Sequence, residues 1–209
     1  TRQAVNVTQK LDGALQPNLS AGSDSEKLAV ISQQSGRFNT YIIPSEGGPG
    51  SMVLDLPHPD WDVRWSPDDR HLAVCTETTA QDYGIFVAPV AGGDPVQVAT
   101  AEGPINAQEP AWAADGSRLA FASDVHGTYD IGIYDLGRQQ VSWRTRGEGD
   151  DLSPQWEPRG DRLTFVRRER TVTALCISQN GGVRTFRVGP GIHHLPRFTP
   201  DGEHVVFVF

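Results

Sequence analysis

Three stretches of this sequence align without a gap: VRWSPDDRHLAV from Val63, PAWAADGSRLAF from Pro110 and PQWEPRGDRLTF from Pro154. A fourth copy, PRFTPDGEHVVF, starts at Pro196, and a degenerate one, LSAGSDSEKLAV, starts at Leu19. The aligned positions Ala21, Trp65, Trp112, Trp156 and Phe198 are 44, 47, 44 and 42 residues apart. A repeat constrains the fold more than any single residue does, because every copy must form the same supersecondary unit. A period near 40–45 residues is that of a four-stranded propeller blade.

Each copy reads as strand, turn, strand. The first strand ends at the aromatic residue, and a tight turn follows: Pro67-Asp68-Asp69, Ala114-Asp115-Gly116, Pro158-Arg159-Gly160 or Pro200-Asp201-Gly202. Proline presets φ for such a turn, aspartate bonds the local backbone, and glycine accepts positive φ. The second strand (LAV, LAF, LTF, VVF) is apolar at consecutive positions, the pattern of a sheet covered on both faces. Third strands are expected at 40–44, 84–89, 130–136 and 173–178. Fourth strands are expected in SMVLDL, PVQVAT, QVSWRT and VRTFRV, and Ala4–Gln9 reads as a stray outer strand. No segment has the 3.6-residue periodicity of an amphipathic helix.

The expectation is therefore an all-β β-propeller of four-stranded antiparallel blades, four full repeats plus a partial fifth. It forms one domain over 1–209, with repeats near 16–59, 60–106, 107–150, 151–192 and 193–209. A last repeat that stops after two strands fits a fragment of a larger propeller, or ends completed by another copy or a partner. Open blade faces and strand edges invite such self-association.

Composition narrows the function classes. The formal charge of −8 lacks the basic surface on which nucleic-acid affinity depends, so no nucleic-acid partner is expected. No apolar run approaches the ~20 residues that span a bilayer, so no membrane insertion is expected. The basic run Arg159, Arg162, Arg167, Arg168 and Arg170 contains Glu169 and reads as a solvated strand edge or loop. Cys75 and Cys176 lie in the apolar stretches LAVC and ALCI and read as two unpaired, buried thiols. No G-x-S-x-G elbow, phosphate loop, HExxH, EF-hand loop or dinucleotide fingerprint occurs. The expectation is a chain that is not an enzyme and carries no cofactor and no metal.

The pattern P-x-W-S-P-D-G-x-x-L-A-F, followed by an apolar strand, a Gly-Gly turn and an outer strand, resembles the WD-like repeat of the TolB-like propeller family. The same repeat occurs in the N-terminal propeller of prolyl-oligopeptidase-type serine peptidases. PAWAADGSRLAFASDVHGTYDIGIYDL is the best copy, and the resemblance covers nearly the whole chain. It implies a non-catalytic scaffold for a protein or peptide partner in a periplasmic or extracellular setting. Three alternatives stay open: a substrate-gating propeller of a serine peptidase, a sensor domain of a membrane-bound regulator, and a lyase with a metal in the propeller channel.

In a propeller, equivalent residues just before each first strand gather on one rim. That rim would hold Asp60, Trp61, Asp62, Glu109, Asp151, His193 and His194, the candidate contacts for a partner. Carboxylates with imidazole could also take a cation. Polar rim loops are otherwise simply solvated, and Trp61 could equally pack beneath its own loop. The repeated Trp65, Trp112 and Trp156 are expected in the blade core, because they recur at the period of the fold.

Overall fold

The computed structural model describes residues 15–19, 26–79, 82–101, 103–147, 149–170, 172–187 and 194–208. The described residues contain strands and turns and no helix. The chain separates into two compact units, Thr1–Gln97 and Val98–Phe209.

The first unit holds two four-stranded antiparallel sheets, each in simple sequence order. One comprises β1 (Leu15–Leu19), β2 (Lys27–Ser32), β3 (Asn39–Pro44) and β4 (Ser51–Met52). The other comprises β5 (Asp60–Trp65), β6 (His71–Glu77), β7 (Tyr83–Pro89) and β8 (Val96–Gln97). The second unit opens with a short ribbon of β9 (Ala99–Thr100) and β10 (Gly103–Pro104). A third sheet follows with β11 (Gln108–Trp112), β12 (Arg118–Ser123), β13 (Asp130–Asp135) and β14 (Gln140–Trp143). The fourth holds β15 (Asp150–Trp156), β16 (Leu163–Glu169), β17 (Val172–Gln179) and β18 (Gly182–Phe186). A pair of β19 (His194–Phe198) and β20 (Val205–Val208) completes it. The fold is thus all-β, with the four-stranded antiparallel sheets of a β-propeller.

Outer strands are shorter than the sequence suggests: β4 and β8 have two residues each. Ala99 and Thr100, expected in the fourth strand of their repeat, pair instead with Gly103 and Pro104 across a tight turn. The stray strand at 4–9 lies outside the described residues.

The second strands explain the cohesion of the sheets. Five consecutive residues are buried in each of β2, β6, β12 and β16, so both faces of each sheet are covered. In the first unit Trp65 sits with Ala29, Ile31, Leu72 and Val74, between the first and second sheets. In the second unit Trp156 sits with Ala111, Ala122, Ile133 and Phe165, between the third and fourth. Its indole N–H donates to the carbonyl of Ala111, 3.1 Å away on the preceding first strand. Trp112 is half-buried. Cys75 and Cys176 are buried and form no disulfide.

The turns follow the same chemistry. The Asp115 carboxylate accepts from the Ser117 amide and hydroxyl, and these bonds hold its pKa below the usual carboxylate range. Asp68 and Asp201 close their turns in the same way. In the fourth sheet Glu157 takes over the role, accepting from the Arg162 amide.

Candidate functional site

The first strand of a sheet is interrupted near its start. Register shifts fall between Gln108 and Ala111, between Leu152 and Gln155, and between His194 and Arg197. At each bulge one non-glycine residue adopts left-handed backbone: Glu109 (φ 55°), Ser153 (φ 55°) and Leu195 (φ 50°). Each of these precedes a proline, which disfavours helical backbone for its neighbour. Strain of this kind is worth on the order of 1–3 kcal/mol per residue and collects at functional sites. In the first unit, β5 carries a shift between Asp60 and Asp62.

The predicted residues divide sharply by burial. Trp61 is 45% exposed and lies 6.4 Å from Phe38, ring centre to ring centre, at a tilt of 37°. It therefore packs on an aromatic neighbour and still presents a face to solvent. Asp62 pairs with Arg64 through Nε at 3.3 Å and Nη2 at 3.1 Å. Glu109 accepts from the Ser153 amide at 2.6 Å, which joins the bulge of the third sheet to that of the fourth.

Asp60 and Asp151 do not reach solvent, contrary to the expectation that they contact a partner. Asp60 is 1% exposed and accepts from the amide and hydroxyl of Thr40, at 2.7 and 2.8 Å. Its backbone N–H bonds the carbonyl of Phe38. Burial raises its pKa to about 6 against the pull of the Thr40 bonds. Asp151 is fully buried and receives a two-pronged ion pair from Arg167, at 2.7 and 2.9 Å. Burial pushes its carboxyl upward, and Arg167 works against that push. Its backbone N–H bonds the carbonyl of Tyr129. The two aspartates thus perform one task at equivalent places, tying a first strand to the loop before the third strand of the preceding sheet.

Arg167 is a second correction: 4% exposed, it belongs to the interior and not to a solvated edge. His193 lies outside the described residues, and of His194 only the backbone in β19 is described. Phe38, Thr40 and Arg64 were missed by the sequence reading, and Arg167 was read as part of a solvated edge. The sequence did carry one signal for the bulges, the prolines Pro110, Pro154 and Pro196 at one repeat position.

Among the described residues, the acidic and imidazole groups with ligand atoms within 4.8 Å of one another are Asp201, Glu203 and His204, on an exposed turn. Asp201 already accepts there from Thr199 and from the Glu203 amide.

Known proteins share this fold. The family of the TolB beta propeller domain matches residues 2–209. An uncharacterized protein of Agrobacterium fabrum is 27% identical over 187 residues, 83% of this chain and 62% of that protein. The Tol-Pal system protein TolB of Bordetella pertussis is 30% identical over 128 residues, 60% of this chain and 29% of that protein. Among solved structures, one described as TolB from Agrobacterium tumefaciens superposes with a TM-score of 0.74 at 22% identity, over 94% of this chain and 69% of that one. A prolyl endopeptidase structure superposes with a TM-score of 0.72 at 14% identity, over 93% of this chain and 31% of that one. The chain spans less than two thirds of the length of these two curated relatives. By its repeats, its sheets and this match, the chain belongs to the TolB β-propeller family.

Proposed function

We propose that this chain is a non-catalytic propeller that binds a protein partner through the starts of its first strands. The observation that carries the reading is Trp61, a tryptophan held on Phe38 with a free face, beside the Asp62–Arg64 ion pair. Tryptophan and arginine dominate binding energy at protein interfaces. Within the second unit, strained bulges at Glu109, Ser153 and Leu195 support the corresponding strand starts, since such strain is kept where it shapes a recognition surface. Kinship with Tol-Pal system proteins supports a partner of that system and a periplasmic setting.

The test is calorimetric titration of the chain with the Pal protein of the same organism. Trp61→Ala is expected to weaken binding at least tenfold, about 1.4 kcal/mol or more, and to leave the melting temperature within a few degrees. Arg159→Ala, in an exposed turn, is the control and leaves affinity unchanged. No binding by the wild type, or equal affinity for Trp61→Ala, overturns the reading.

A further inference from the structure

Along the outer edge of the third sheet, on β13, β14 and the turn between them, lies a cavity of about 460 Å³. The register fixes its extent: Asp135 pairs with Gln140 at one end of the lining, and the Arg144 amide bonds the carbonyl of Ile131 at the other. Arg118 and Arg144 line the cavity, with Arg138 from the turn that joins β13 to β14. Ile133, on the same face of the sheet as Arg118 and Arg144, supplies an apolar floor.

The charges of this cavity do not balance. Arg118 and Arg144 share a single carboxylate, Asp161, through Oδ1 and Oδ2 respectively. Arg138 meets Asp135 only at 3.5 Å. Three guanidiniums thus face two carboxylates, in a chain whose formal charge is −8. A guanidinium carries five N–H donors. Arg118 and Arg144 each give one of them to Asp161, and the remaining forks are available to a planar or tetrahedral anion. Arg118 is held in place by the Trp156 ring, 4.6 Å below its guanidinium. Arg144 is mostly buried, with 13% of its side chain exposed. Two of the three cations are therefore preorganised, which lowers the entropy lost on capture.

We propose that this cavity is a second binding site, for a small organic anion with a phosphate or carboxylate head. The head sits on the three arginines and the body against Ile133. The volume falls within the 300–1,000 Å³ range of ligand pockets, and exceeds what the head group alone would fill.

Titration at low salt with inorganic phosphate, phenyl phosphate and benzoate, followed by calorimetry and the indole resonance of Trp156, which lies beneath Arg118, tests the site. Phenyl phosphate or benzoate is expected to bind at least about fivefold more tightly than inorganic phosphate, and the better of the two identifies the head group. Arg138→Ala and Arg144→Gln are each expected to weaken binding about fivefold or more. Asp161→Asn is expected to tighten it, because the shared carboxylate competes with the ligand for both forks. That rise separates a binding role from a purely structural one, in which the same change would only loosen the cluster. Melting curves confirm that each variant is folded. The proposal is overturned if none of the probes saturates at millimolar concentration, or if the binding seen is indifferent to Arg138→Ala and Asp161→Asn.

Discussion

Asp60 shows how a single residue can look functional and act structurally. Its carboxyl is buried, bonded to Thr40 and lifted to about 6 from an ordinary 3.8. An acid with a raised folded-state pKa binds its proton more tightly in the native state than in the unfolded chain. Its contribution is therefore full below about pH 3.8 and is lost as pH rises through about 6. The span of roughly two units corresponds to about 3 kcal/mol. Urea denaturation of wild type and Asp60→Asn between pH 4 and 7.5 checks this. The difference in stability between the two is expected to shift in favour of the variant by about that amount as pH rises, whereas parallel curves would refute it. Asp151 differs in its chemistry, because Arg167 balances its charge inside the protein. Removing one member of such a pair strands the other, at about 3–5 kcal/mol.

At the scale of elements, the tryptophans that end two of the first strands, Trp65 and Trp156, fill the space between neighbouring sheets. Trp156 fills the space between the third and fourth sheets and donates to Ala111. Trp156→Ala is expected to cost about 3–5 kcal/mol in urea denaturation. Trp156→Phe retains most of the packing and loses the indole bond, worth about 1 kcal/mol of that total. Equal losses for the two variants would show that packing is not the larger part. This much was legible in the sequence, because Trp65 and Trp156 stand at the blade period with the turn and buried strand that follow them, whereas Trp112 at the same repeat position is only half-buried. The third strands were legible for the same reason, each being a continuous apolar run such as GIFVAP, which became Tyr83–Pro89. The burial of Asp60 and Asp151 was not legible. Both lie within a first strand, five residues before its aromatic end, where the sequence reads as polar rim, and only the register places Arg167 opposite Asp151. The outer strands were over-read for a different reason. They pair along one edge only, so the alternation in PVQVAT extends beyond the two residues that find partners in β7.

At the scale of the whole chain, the repeat offers two kinds of surface. The bulged starts of the first strands carry Trp61, Asp62, Glu109 and Ser153, and the outer edge of the third sheet carries the arginine cavity. Rigid repeated sheets suit this division, since changes at strand ends leave the buried second strands untouched. The fold therefore limits where recognition can occur without specifying the partner. Hydrogen exchange of the chain, free and bound to Pal, tests the central claim most directly. The expected footprint is slowed exchange at 38 and 60–62 in the first unit and at 108–109 and 152–153 in the second, with 135–140 unchanged. Protection confined to the outer strands, with the starts of the first strands exchanging as in the free chain, would contradict it.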